Sequence, residues 1–186
     1  MEKPLRIILI TGMPGSGKEE VIKTCRKKGM KIVRMGDFVR EEASARGIEL
    51  TDENVGNVAQ EMREKHGFDI WAKRTIEAID DQFTVVDGVR GRAEVLLFKK
   101  HFGNEAAVVA VHSSPKTRFR RLMGRKRDDA PKTIEEFENR ELRELHWGLG
   151  DVIARAEYLI LNESTLEALE KRVNALCERI GGKKPA

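Results

Sequence analysis

The chain has 186 residues, the length of one domain or of one domain with a small insert. Charged residues make up 35% and hydrophobic residues 40%, which supports one hydrophobic core and excludes collagenous and low-complexity chains. The formal net charge is +4, and both signs are mixed along most of the sequence, which argues against nucleic acid as a partner. No run approaches the roughly 18 apolar residues of a membrane helix and no secretory signal is recognisable, so we expect a cytoplasmic protein without a membrane partner.

Short apolar runs alternate with segments of helical periodicity. The first run is almost continuously apolar, as expected for a strand that is covered on both faces. The five runs lie at residues 5–11, 30–35, 83–86, 106–111 and 158–161. This alternation predicts an α/β fold of three layers, α/β/α, with a five-stranded parallel sheet between helices.

A glycine-rich segment connects the first predicted strand to a helix. It reads Gly-Met-Pro-Gly-Ser-Gly-Lys and has the spacing of a P-loop. Its glycines let backbone N–H groups turn toward phosphate oxygens at a helix N-terminus, and the lysine adds a positive charge for the β- and γ-phosphates. The residues predicted to bind ATP are Gly12, Met13, Pro14, Gly15, Ser16, Gly17, Lys18 and Glu19.

The position after the P-loop lysine is unusual. A P-loop commonly has Ser or Thr there, whose hydroxyl binds Mg²⁺, but this chain has Glu19 followed by Glu20. Two carboxylates beside a triphosphate would repel it unless Mg²⁺ or arginines intervene. Metal coordination at the loop is therefore left open.

The interval between the second and third predicted strands is too long for a single crossover helix. It contains at least two helical patterns. We predict a helical insert at residues 36–82, standing over the carboxyl edge of the sheet, where folds of this class bind their ligands.

The second half of the chain has a local excess of basic residues and three helix-start signals. Residues 116–127 contain seven basic residues and no acidic one. Ser114 precedes a proline, which predicts a helix that begins at the proline. Thr133 and Ser164 each precede a glutamate by three positions, which predicts a capping box at both.

Four other side chains are predicted to pack inside the protein. Cys25 and Cys177 lack metal-ligand spacing and are interpreted as buried or half-buried, reduced thiols. Trp71 and Trp147 lie in helical patterns and are interpreted as packing residues, with contact to a donor base left open for Trp147.

These segments together resemble adenylate kinases and related nucleoside monophosphate kinases, and among them an archaeal group related to adenylate kinase. The P-loop is similar to that family's Gly-x-Pro-Gly-x-Gly-Lys, and residues 36–40 are similar to its Gly-Asp-x-x-Arg. Residues 85–90, Val-Val-Asp-Gly-Val-Arg, are similar to its Asp-Gly-Phe-Pro-Arg, although the arginine comes one position early. The resemblance implies one P-loop NTPase domain over residues 1–186, with the insert binding the acceptor and a short arginine-rich lid at 121–140.

The resemblance also implies roles for individual residues. The implied reaction is transfer of the γ-phosphate of ATP, with Mg²⁺, to a nucleoside monophosphate, so the partners are ATP and a small phosphorylated acceptor. Asp87 would hold Mg²⁺ through water. The implied acceptor-binding residues are Asp37, Arg40 and Arg90, and the implied catalytic residues are Lys18, Asp87, Arg121, Arg125 and Arg140.

Several alternatives stay open at this point. Glu94 is the nearest match to the glutamine that reads adenine, but a carboxylate can only accept hydrogen bonds, so the acceptor base is not determined. Residues 156–162 also resemble dephospho-coenzyme A kinase, in which the acceptor is a hydroxyl and Asp37 would be the general base. From another class, the chain could be an acceptor-free ATPase or a nucleotide-dependent regulatory or RNA-associated P-loop protein. Arg40 and Arg90 favour a kinase, since a simple ATPase needs no second anion site.

Overall fold

The sheet is parallel throughout, as the sequence predicts. The computed structural model describes residues 6–80, 83–124 and 131–180. In those ranges the strands are β1 (Ile7–Thr11), β2 (Lys31–Arg34), β3 (Thr84–Asp87), β4 (Ala106–His112) and β5 (Tyr158–Leu161). Their order in the sheet is β2-β3-β1-β4-β5, and every neighbouring pair is parallel. The predicted five-stranded α/β fold is confirmed.

Helices cover both faces of this sheet. They are α1 (Lys18–Lys27), α2 (Met35–Ala45), α3 (Asp52–His66), α4 (Ile70–Glu77), α5 (Arg92–Phe102), α6 (Pro115–Met123), α7 (Ile134–His146), α8 (Leu149–Ala154) and α9 (Leu166–Ile180). Helices α1 and α9 pack on one face, and α2 to α5 with α8 pack on the other. No helix in the described ranges is long and apolar enough to cross a membrane.

Strand β1 explains why the site lies where it does. Each of its five residues is buried, because successive side chains point into the two hydrophobic clusters on opposite faces. Ile10 lies beside Asp87 of β3 and Val109 of β4 in the sheet register. The carboxyl ends of three adjacent strands therefore meet where the chain leaves β1 and enters the glycine-rich loop.

Helices α2, α3 and α4 fill the chain between β2 and β3. The buried residues of these helices are mostly small or apolar. The fully buried Trp71 donates its Nε1–H to the carbonyl of Ala59 at 3.2 Å. Trp71 thus packs in the interior, as predicted. Residues 125–130, which include Arg125 of the predicted lid, lie outside the described residues.

The helix caps confirm two of the three predicted starts. The Ser114 hydroxyl accepts from the N–H of Thr117 at 3.4 Å, and the Thr133 hydroxyl accepts from the N–H of Glu136 at 3.1 Å. The prediction at Ser164 is wrong by one residue. Helix α9 begins at Leu166, after Thr165, and the hydroxyl of Thr165 accepts from the N–H of Ala168 at 3.2 Å.

Candidate nucleotide and acceptor site

The glycine-rich loop turns tightly between β1 and α1. Gly17 has φ of 100°, a left-handed value that glycine adopts without strain. A Cβ at Gly17 would lie 2.2 Å from Asn162 Nδ2, so any other residue here would have to displace that amide. The loop ends at the N-terminus of α1, whose free N–H groups and dipole attract anions.

Two polar residues from other strands hold the loop in this shape. Asn162, directly after β5, donates from Nδ2 to the carbonyl of Ser16 at 2.9 Å. Ser113, directly after β4, shares its one hydroxyl proton between the same carbonyl, at 3.2 Å, and the carbonyl of Asn162, at 2.5 Å. Both side chains are buried. Our reading of the sequence missed this role, although each residue lies within two positions of the end of a predicted strand.

Lys18 lies at the first residue of α1 and bends back onto the loop. Its Nζ donates to the carbonyl of Gly12 and, at 3.3 Å, to that of Met13. Burial lowers the pKa of Lys18 from 10.5 to about 8, and the charges of Asp87 and Glu144 only partly oppose this effect. The lysine is thus positioned to bind a polyphosphate, but the nearby carboxylates only partly offset the cost of burying its positive charge.

Asp87 ends strand β3 beside the loop. Its Oδ1 is buried and has no hydrogen-bond partner in the described part of the chain. Burial raises its pKa, while the positive charges of Lys18 and Arg34 act in the opposite direction. A buried carboxylate oxygen without a partner fits a Mg²⁺ ion held through water, since Mg²⁺ prefers one or two carboxylates together with phosphate oxygens and waters. The described residues contain no group of three or more potential metal ligands, so Asp87 would act together with the nucleotide.

Arg34 neutralises the negative charge of Glu19 beside the phosphate loop. From the end of β2, its Nη2 donates to both carboxylate oxygens of Glu19, at 2.9 and 3.0 Å. This bond raises the pKa of Arg34. Glu20 instead pairs with Lys23 at 2.8 Å on the surface. The carboxylate nearest the phosphate loop is therefore neutralised by an arginine that our sequence reading did not single out.

A cavity of about 220 Å³ opens in front of the loop. It collects most of the residues predicted from the sequence: Gly12, Pro14, Gly15, Gly17, Lys18, Glu19, Asp37, Arg40, Asp87, Arg90 and Arg140. Met13 and Ser16 belong to the loop but are buried behind it. Asp37 and Arg40 lie on the first turns of α2, 3.9 Å apart, with more than half of each side chain exposed.

Part of the basic run lies behind the loop and not in the cavity. Arg121 donates to Ser113 Oγ at 2.9 Å and to Asn162 Oδ1 at 3.4 Å. Arg118 is almost completely buried, bonds to Glu141 and donates to the carbonyl of Ser113 at 2.9 Å. The run is thus not one surface that faces a nucleotide, because at least Arg118 is a structural residue.

A smaller cavity of about 100 Å³ adjoins the first one between α2, α3 and α7. Three arginines that line it are already held by carboxylates. Arg90 Nε lies 2.9 Å from Glu144 Oε2, and Arg140 Nη2 lies 3.3 Å from Asp52 Oδ1. Arg143, one turn after Arg140, bonds to the other oxygen of Asp52. Arg143 and Glu144 were missed in the sequence because they stand among many charged residues of one helix.

Trp147 is a platform for arginines beside the smaller cavity. Its ring lies 4.7 Å from the guanidinium of Arg63, 5.1 Å from that of Arg90 and 5.8 Å from that of Arg143. Its Nε1 donates to Gln60 Oε1 at 2.6 Å. Since only 5% of the residue is exposed, Trp147 packs as predicted.

Glu94 does not face either cavity. It is completely buried and accepts from the backbone N–H groups of Arg90 and Gly91, at 2.8 and 3.0 Å. Its other oxygen accepts from Arg63 Nη2 at 3.0 Å. Glu94 therefore does not take the place of a base-reading glutamine, because its side chain caps α5 and closes a buried ion pair.

A phosphate-binding loop at the carboxyl edge of a parallel sheet of order 2-3-1-4-5 defines a P-loop nucleotide-binding protein with a kinase-like fold. Residues 11–138 match the AAA domain family. The chain is 45% identical over 180 residues to a UPF0200 protein of Thermococcus onnurineus, an alignment that covers 94% of this chain and 97% of the relative. The chain belongs to the UPF0200 proteins, with an AAA-type P-loop domain.

Solved structures show the same architecture. The shikimate kinase of Bacteroides thetaiotaomicron superposes with a TM-score of 0.63 and 18% identity, covering 92% of this chain and 98% of that one. A gluconokinase of Sinorhizobium meliloti superposes with a TM-score of 0.57 and 17% identity, covering 96% and 94%. At these identities the likeness concerns the fold alone.

Proposed function

We propose that this protein is an ATP-dependent phosphotransferase that transfers the γ-phosphate to a nucleoside monophosphate. The observation that carries the proposal is that three arginines, Arg40, Arg90 and Arg140, line the same cavity as the P-loop. These arginines come from α2, the loop after β3 and α7, so they are independent of the loop that holds the donor. A second anion-binding side suits a phosphorylated acceptor, and an acceptor-free ATPase has no need of it.

Phosphoryl transfer of this kind needs positive charge and alignment more than covalent help. In this proposal the loop N–H groups and Lys18 bind the donor phosphates, Arg40 and Arg90 bind the acceptor phosphate, and Arg140 stabilises the charge of the transferred group. Asp87 would hold Mg²⁺ through water, and the bound metal would neutralise phosphate charge. Because a phosphate oxygen of the acceptor is already a nucleophile, no general base is required. Arg121 and Arg125 are proposed to reach the phosphates from the lid, which for Arg121 means leaving Ser113 and Asn162.

A hydroxyl acceptor, as in dephospho-coenzyme A kinase, is the second candidate. The observation that favours it is the position of Asp37, which lines the cavity and has 59% of its side chain exposed. A carboxylate in that position can accept the proton of a hydroxyl nucleophile. The two candidates therefore differ in whether Asp37 takes part in chemistry.

The test is ADP release from ATP and Mg²⁺ with AMP, CMP, UMP, GMP, dAMP or dephospho-coenzyme A as acceptor. We expect one monophosphate to stimulate release, and Lys18→Ala to abolish it. Asp37→Asn should leave transfer to a monophosphate within a few-fold of the wild type, whereas it should abolish transfer to a hydroxyl. Equal slow turnover with every acceptor would refute both kinase proposals and support an ATPase or nucleotide switch.

A further inference from the structure

Glu144 is a buried carboxylate in the wall that the two cavities share. Only 3% of the residue is exposed, yet it lines both the large cavity and the small one. Its negative charge acts on the P-loop Lys18 and also on Arg63 behind Trp147. None of the steps proposed above uses this carboxylate.

Glu144 determines which side of the Arg90 guanidinium can bind an acceptor anion. The carboxylate occupies the Nε side of that guanidinium at 2.9 Å, and the Trp147 ring lies 5.1 Å from the same group. Trp147 is itself oriented by its bond to Gln60. An acceptor anion therefore meets an arginine that is fixed in position and already partly neutralised.

The same carboxylate restricts what can lie next to it. A second anion in contact with Glu144 would be repelled strongly, because a partly buried site screens charges much less than water does. A carboxylate also has no proton to donate, so it can only accept hydrogen bonds. A hydroxyl or amino group of the ligand can instead donate a hydrogen bond to Glu144, so these are the groups that the carboxylate favours.

We propose that Glu144 is a specificity-determining residue of the acceptor site. It accepts a hydrogen bond from a hydroxyl or amino group of an anionic acceptor and disfavours anions that lack such a group. The acceptor's own anionic group is then bound by Arg40 and Arg90. This inference rests on the proposed function, since it names the class of acceptor: a small phosphate ester that carries hydroxyl or amino groups.

The experiment measures anion binding by isothermal titration calorimetry, with the P-loop first filled by a non-hydrolysable ATP analogue and Mg²⁺. Sulfate is the probe without a donor, and AMP, CMP, GMP and UMP are the probes with donors. Glu144→Gln keeps the shape and removes the charge, so sulfate should bind at least about tenfold more tightly. The four nucleotides should gain less than threefold, because the charged acceptor of their hydrogen bond is lost at the same time.

Glu138→Gln is the matched control, because it removes one negative charge from an exposed position of the same helix and should change neither affinity. Glu144→Asp keeps the charge and should exclude sulfate as the wild type does, which separates selectivity from folding; thermal unfolding of each variant is measured alongside. The inference is overturned if sulfate affinity is unchanged in Glu144→Gln, or if the nucleotides gain as much as sulfate. Because nothing turns over, these outcomes are independent of the ADP-release assay.

Discussion

Lys18 should make nucleotide affinity depend on pH in a range where most lysines do not titrate. Its pKa is about 8 in the free protein, compared with 10.5 for an ordinary lysine. A bound polyphosphate surrounds Lys18 with negative charge and favours the protonated form, so binding restores the pKa toward its ordinary range. Affinity should therefore be nearly constant below pH 8. It should fall by about tenfold per pH unit above it, since each unit removes about nine tenths of the remaining protonated lysine.

The assay is ATP binding by titration calorimetry between pH 7.5 and 9.5, where the phosphates are already fully ionised. Near pH 8, binding should take up about half a proton, which appears as a dependence of the heat on the ionisation enthalpy of the buffer. Lys18→Arg is the control, because a guanidinium stays charged throughout this range. A flat affinity in the wild type, or the same fall with pH in Lys18→Arg, would refute the reasoning.

Three further predictions concern folding and the loop. Gly17→Ala should lower the free energy of unfolding by about 1–3 kcal/mol and weaken ATP binding, because it places a Cβ against Asn162 at a left-handed φ. In thermal unfolding, adding Asn162→Ala should recover only part of this loss, and an unchanged melting temperature for Gly17→Ala would contradict the geometry. Glu94→Gln should cost about 3 kcal/mol in urea unfolding, since Arg63 is left as a buried charge without its anion; a loss below about 1 kcal/mol would mean that the pair is unimportant. Thr133→Ala should cost about 1 kcal/mol by removing the α7 cap, with ATP affinity kept, and no change in urea unfolding would count against the cap.

The strands were predicted well because their signal is local. A strand buried on both faces must be apolar at almost every position, and the run at residues 5–11 meets that condition. The prediction for the fifth strand, residues 158–161, matches the observed bounds. Helix starts were less certain, since Ser164 and Thr165 can both cap a helix and only packing selects between them.

The phosphate loop could also be predicted, whereas its supports could not. Glycine spacing after a strand reports on backbone conformation, and backbone conformation is what binds phosphate. Asn162, Ser113 and Arg34 reach the loop and its flanking Glu19 from three other strands, so their roles depend on the order of strands in the sheet.

The arginines show most clearly which features the sequence determines and which depend on the tertiary structure. The sequence by itself determined the α/β alternation, the phosphate loop and a surplus of guanidinium groups in its second half. Only the tertiary structure decided that Arg118 is buried under the loop while Arg90 and Arg140 line the cavity. The physical reason is that an ion pair depends on which elements meet in space. The carboxylates that hold these arginines, such as Glu141 and Glu144, are indistinguishable from surface charges until the helices are packed.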